Sequence, residues 1–272
     1  MNDSQLYAQG PTTTTTANAN LIGLGTITRR EVVRILRIWS QTLLPSAITM
    51  TLYFVIFGRM VGSRIGEIAP GIGYIDYIVP GLIMMAVITN SYGNISSSFF
   101  GAKFQRFVEE MLVSPMPSWV ILTGYISGAV LRGLIVVIIV LAISLFFTRI
   151  HLYHPLVTLS TVLLTAVVFS LAGFVNAIFA KKFDDIALVP TFVLTPLTYL
   201  GGVFYSVSAL PSPWREISYA NPILYMVNAF RYGLLGISDV QMGVAYSVML
   251  AFAVALTAIS LYLLDRGVGL RS

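Results

Sequence analysis

The chain contains no cysteine, which excludes a disulfide framework, a thiolate metal site and a cysteine nucleophile. Charge is scarce too: Asp, Glu, Lys and Arg make up 10% of the residues, against about 25% in ordinary soluble domains. No glycine-rich run ends in Gly-Lys-Ser or Gly-Lys-Thr, so the backbone cradle and lysine that hold nucleotide phosphates are missing. Gly23-Leu-Gly25 and Gly71-Ile-Gly73 are turn signals at most. There is no HExxH run, no nucleophile elbow and no pair of carboxylates at active-site depth. The chain therefore reads as non-catalytic, with no cofactor or metal of its own. His151 and His154 share a short stretch with no further ligand nearby and read as solvated loop residues. The net charge is +5, but the basic residues sit in short segments without interleaved exposed aromatics, which argues against a nucleic-acid partner.

What the chain has in excess is apolar surface. Hydrophobic residues make up 57% of it and the mean hydropathy is +0.85. Six stretches approach the length of about 20 helical residues needed to cross a hydrocarbon core. They lie near 41–61, 78–99, 122–147, 156–179, 187–207 and 243–264. The expected fold is an all-α polytopic membrane protein with six transmembrane helices in one domain, 27–272. Met1 to Asn20 lacks the pattern of a signal peptide. Its threonine-rich, low-complexity run predicts a disordered tail over 1–26.

Charge sorts the interspan segments by side. With the N-terminus inside, the inner segments hold Arg29, Arg30, Arg34, Arg37, Lys103, Arg106, Lys181, Lys182, Arg266 and Arg271. The outer ones hold Arg59, Arg64, Arg149, Arg215 and Arg231. Basic residues in short loops favour the cytoplasm, so both termini are expected there.

Three segments outside the spans carry their own signals. Thr28-Arg-Arg-Glu31 has capping-box spacing and predicts a helix start. Val32, Ile35, Leu36 and Trp39 then share one face, opposite Arg30, Arg34 and Arg37, as in a helix lying along the membrane surface. Such a helix serves either as a partner contact or as a plain positive flank. Residues 101–112 predict a second amphipathic helix, with Phe104, Phe107, Val108 and Met111 on one face, ended by Ser114-Pro-Met-Pro117. Between the last two spans, prolines 211, 213 and 222 break a moderately apolar stretch. Two short helices near 211–219 and 222–236 are expected there, the second capped by Asn221-Pro222 and ended by Gly236. They form a re-entrant pair that enters the outer leaflet and returns.

Polar side chains within lipid are costly and mark function or packing. Asn90, Asn94 and neighbouring serines crowd the inner half of the second span, either lining a pathway or bonding helix to helix. Arg132 is the one full charge well inside a span and is expected to face protein or water. Pro190 and Pro196 interrupt the fifth span, where Thr191, Thr195 and Thr198 offer hydroxyls to freed carbonyls. Gly201-Gly202 permits a bend or close packing. All 11 acidic residues map to ends, loops or the tail, whereas ion-coupled carriers usually hold acids at the midplane. The energy source is therefore expected outside the chain.

The order of these elements resembles the type-2 ABC transporter (ABC-2) permease subunits of bacterial inner membranes. The likeness rests on Tyr77-Ile-Val-Pro-Gly-Leu-Ile-Met-Met85, Ser98-Phe-Phe-Gly-Ala-Lys-Phe-Gln-Arg106, the run from Lys182 to Tyr205, and Asn221-Pro222 followed by Phe230-Arg-Tyr-Gly233. It implies a homodimeric export pathway, with a separate ABC ATPase subunit that supplies ATP and magnesium chemistry. It makes the helix near 28–40 and a coupling helix near 101–112 the docking elements, with Arg34, Arg37, Phe104, Arg106, Glu109 and Glu110 at the contact. Asn90, Asn94, Arg132, Thr191, Thr195 and Thr198 are the candidate pathway residues. Membrane lipids complete the expected partners, and the alternative is a stand-alone channel or secondary carrier.

Overall fold

A computed structural model describes residues 13–69, 71–149 and 152–270 of the chain. Among these, six helices are long and apolar enough to cross a membrane. The helices in chain order are α1 (Thr13–Arg37), α2 (Trp39–Ile65), α3 (Tyr74–Phe104), α4 (Phe107–Val113), α5 (Ser118–Ser144), α6 (Pro155–Phe179), α7 (Phe183–Leu200), α8 (Trp214–Tyr219), α9 (Pro222–Leu235) and α10 (Met242–Arg266). A two-stranded hairpin, Glu67–Ala69 with Ile72–Gly73, joins α2 to α3.

Burial ranks the spans. In the most apolar window of α3, 83% of the residues are buried, and in α6 61%, whereas the figures for α2 and α7 are 12% and 6%. α3 and α6 are thus the axis of the bundle, and α2 and α7 present most of their surface outward. The axis packs closely because Gly173 on α6 meets the Tyr92 carbonyl of α3, where an added Cβ would lie 2.5 Å from that oxygen. Toward the C-terminal end of α3, the Phe99 and Phe174 rings lie 4.3 Å apart, with Tyr125 edge-on to Phe99.

Local sequence explains the ends. Asp76 accepts from the Gly73 amide at 3.2 Å and so caps α3. Asn221 accepts from the Ile223 amide at 3.0 Å, Pro222 takes the first turn, and left-handed Gly236 ends α9. α8 and α9 thus occupy the two short-helix segments expected before the last span. α7 carries Pro190, which has no N–H for the Ile186 carbonyl one turn back. That carbonyl accepts instead from Asn176 Nδ2 of α6 at 3.3 Å. The backbone widens to a π-helical turn over Pro190–Leu194, and Thr195 Oγ1 donates to the Pro190 carbonyl at 2.9 Å.

The structure departs from the sequence expectations in four places. α1 begins at Thr13 and runs unbroken through Thr28, so residues 13–26 are helical and Glu31 is not part of a helix start. Residues 1–12 of the expected tail, and His151, lie outside the described residues. The inner helix expected over 101–112 is divided: α3 continues to Phe104, Arg106 adopts a left-handed φ of 63°, and α4 starts at Phe107. The fifth span stops at Leu200 and not at 207, because Gly202 takes a φ of 71° and turns the chain back.

Candidate functional site

The site is built where the C-terminal part of α3 meets α1 and α5. Ile27, Glu31 and Ile35 recur at four-residue spacing and form the buried face of α1. Ile27 faces Gly124 and Glu31 faces Gly128 of α5; a Cβ added to Gly128 would lie 2.5 Å from the Glu31 Cβ. Thr28 Oγ1 lies 2.9 Å from Ser127 Oγ on the same seam. The expected apolar face is divided: Ile35 packs inward beside Glu31, whereas Leu36 and Trp39 stay 58% and 56% exposed.

Glu31 is 1% exposed, and a carboxylate removed from water must be compensated. Its Oε1 accepts from Ser98 Oγ of α3 at 2.6 Å, and its Oε2 from Arg34 at 2.9 Å. Arg34 donates onward to Asn94 Oδ1 at 2.9 Å. Arg30 approaches Glu31 Oε1 at 3.5 Å and donates to the Tyr125 hydroxyl. Burial alone would lower the Arg30 pKa, but Tyr125 and Glu31 outweigh it and hold that pKa above its ordinary value. One carboxylate therefore joins α1 to the most buried span.

A second node lies deeper. Arg132 of α5 donates to Asn90 Oδ1 of α3 at 2.9 Å and to the Thr42 carbonyl of α2 at 3.0 Å. Asn90 Nδ2 donates in turn to Ser46 Oγ of α2 at 3.0 Å and to the Ala86 carbonyl at 2.9 Å. The charge faces protein, as its depth requires, and links three spans.

α4 closes the end of the bundle at which α3 stops. Val108 is buried at 1% exposure, whereas Phe104 and Phe107 stand 64% and 45% exposed. Glu110 and Arg106 are exposed beside them, and Glu109 is half-buried. Lys103 donates to the Ala180 carbonyl at 2.9 Å and to that of Ile178, fastening α3 to the end of α6.

At the opposite end Arg231 is 1% exposed, although its position near a helix end read as an outer flank. Its guanidinium donates to the Gly202 carbonyl at 2.7 Å and lies 3.9 Å from the centre of the Tyr77 ring. Asp239 accepts nearby from Ser206 Oγ at 2.8 Å and from the Val207 amide at 3.2 Å. These bonds fold the chain after α7 onto α9.

Of the sequence-derived candidates, the structure brings Asn90 to Arg132 and Asn94 to Arg34. Thr191 and Thr195 are exposed on α7, and Thr198 is buried and donates to the Leu194 carbonyl at 2.6 Å. No hydrogen bond among the described residues joins these threonines to Asn90, Asn94 or Arg132. Arg37, Phe104, Arg106 and Glu110 lie at the surface, whereas Arg34 is drawn inward. Sequence reasoning missed Glu31, Arg231 and Asn176 as structural nodes. The signal for Glu31 was its position midway between Ile27 and Ile35, with glycines at matching spacing on α5.

The family model for the ABC-2 type transporter matches residues 23–235, from α1 to the end of α9. The chain belongs to the ABC-2 type transporter family. Both nodes and α4 lie within the matched segment of this ABC-2 chain. The inner membrane transport permease YadH of Escherichia coli (strain K12) and its counterpart in Shigella flexneri are each 57% identical to it over 251 residues. That alignment covers 92% of the ABC-2 chain and 98% of each relative. Nodulation protein J of Rhizobium leguminosarum bv. viciae is 23% identical over 186 residues, 68% of this chain and 71% of its own.

Proposed function

We propose that the chain is the transmembrane subunit of an ATP-driven exporter in a bacterial inner membrane, paired with a second copy and driven by a separate ABC ATPase. The relative named an inner membrane transport permease supports the location. The absence of a phosphate-binding loop from the sequence supports an external motor, which would bring its own ATP and magnesium. The sparse burial of α2 and α7 supports a pathway formed between two copies, with Thr191 and Thr195 facing it.

The observation that carries this reading is the construction of α4. It is seated by Val108, leaves Phe104 and Phe107 exposed beside Arg106 and Glu110, and is only two residues from the end of the most buried span. An ATPase that binds α4, with Glu109 and Glu110 at the contact, acts on α3 directly. Motion of α3 reaches α1 through Glu31 and reaches α2 and α5 through Asn90 and Arg132. Arg34 serves from beneath as the strut that fixes Glu31. The work comes from the different affinity of the ATPase for the two arrangements. With both termini inside, α4 faces the motor and the α8–α9 pair closes the outer end as a re-entrant cap.

Glu109→Arg with Glu110→Arg tests the docking role. The variant is expected in the membrane at normal level but without copurifying ATPase. Undiminished copurification would remove the basis of the proposal.

A further inference from the structure

A cleft of about 830 Å³ separates α1 from the inner end of α3. Arg29, Arg30, Arg34 and Arg37 line its α1 side, and Ser97 and Ser98 line its α3 side. Glu31 is the one carboxylate among the lining residues, and it already accepts from Ser98 and Arg34. Positive charge is therefore left over. Arg34 Nε is buried without an acceptor, an unspent donor in a place where donors are normally used.

Depth and rim narrow the choice of occupant. Ser97 lies about 10 Å inside the α3 end at Phe104, given a rise of about 1.5 Å per residue. Val33 and Leu36 on α1 and Trp39 at the start of α2 are 43%, 58% and 56% exposed, which sets an apolar strip beside the arginines. Tryptophan at the end of a span is at home where headgroups meet acyl chains. A soluble protein with an acidic patch would answer the charge but would leave that strip in water. A lipid answers both.

We propose that this cleft binds an anionic phospholipid of the leaflet that α1 adjoins. Its phosphate sits on the guanidinium groups of Arg29, Arg30 and Arg37, whose planar forks suit phosphate oxygens. Its acyl chains lie over Val33, Leu36 and Trp39. The site goes beyond motor docking and does not depend on it.

The test uses the full-length chain in detergent, titrated with phosphatidylglycerol or phosphatidylcholine of identical chains and read by native mass spectrometry. Preferential retention of phosphatidylglycerol is expected. Arg29→Gln with Arg37→Gln should weaken that preference about thirtyfold, from the attraction of about 1 kcal/mol that each basic residue contributes near an anionic surface. Arg64→Gln with Arg149→Gln, which removes two arginines outside the cleft, should leave it intact. In a Trp119→Phe, Trp214→Phe background, brominated phosphatidylglycerol should quench Trp39 fluorescence more than brominated phosphatidylcholine does. Equal retention of both lipids, equal loss in both double variants, equal quenching, or displacement of the lipid by millimolar inorganic phosphate would each overturn the site. So would a cleft variant that loses the ATPase but keeps its lipid preference, because the arginines would then belong to a protein contact.

Discussion

The guanidinium of Arg132 and the side-chain oxygen of Asn90 lie 2.9 Å apart, and the same Arg132 nitrogen also reaches the Thr42 carbonyl. A charge set midway along one span is thereby held by two others. The bond fixes α2, which otherwise buries little of itself, to the axis of the bundle.

Arg132→Leu should leave Asn90 Oδ1 without the two N–H donors that Arg132 supplies and the Thr42 carbonyl without this partner. Each buried polar group stripped of its partner costs about 1–3 kcal/mol. The variant is expected to insert normally, melt earlier and export poorly, as measured by membrane level, thermal unfolding in detergent and ATP-dependent transport. Arg132→Lys should recover only part of the loss, since a single ammonium does not reproduce the planar fork. Full export by Arg132→Leu would make the charge incidental.

Glu31 should behave as a linchpin for α1. Glu31→Ala leaves Ser98 without its acceptor and the partly exposed Arg30 and Arg34 without their carboxylate, and is expected to cost about 1–3 kcal/mol. Glu31→Gln keeps the shape and an acceptor oxygen, so its loss should be smaller. Gly128→Val should mimic Glu31→Ala by pressing on the Glu31 stem. The comparison is by midpoint of thermal unfolding, and equal midpoints for all three variants and the parent would contradict the role.

Asn176 and Pro190 supply a rescue experiment. Asn176→Leu should bare the Ile186 carbonyl and destabilise α7 by about 1–3 kcal/mol. Adding Pro190→Ala restores a backbone N–H to that carbonyl and should return most of the loss. Limited proteolysis across 180–200 reads both, and additive effects of the two changes would count against the pairing.

Much of the architecture was legible because hydrocarbon tolerates so few arrangements of a backbone. Long apolar runs gave the six spans, and Asn221-Pro222 with Gly236 bracketed α9 because caps are local chemistry. Arg132 advertised its need for partners by its depth alone. Glu31 was different: its spacing from Thr28 satisfied a local rule, which masked the weaker signal of its place between Ile27 and Ile35, and Gly128, which leaves room for it, lies far along the chain. Arg231 read as a flanking charge for a similar reason, since its partners Tyr77 and Gly202 come from other elements. The division between α3 and α4 depends on one left-handed backbone at Arg106, a conformation that arginine composition does not announce.

That elbow at Arg106 decides what kind of machine part α4 is. A continuous rod would transmit thrust along its own length, whereas a short arm set off by two residues from a long shaft would, under the proposed docking, work as a crank. Sideways displacement of the arm then becomes rotation of the shaft about its own axis. α1, joined to that shaft through Glu31, and the spans α2 and α5, joined through Arg132, would be swept round with it, not driven up or down through the lipid.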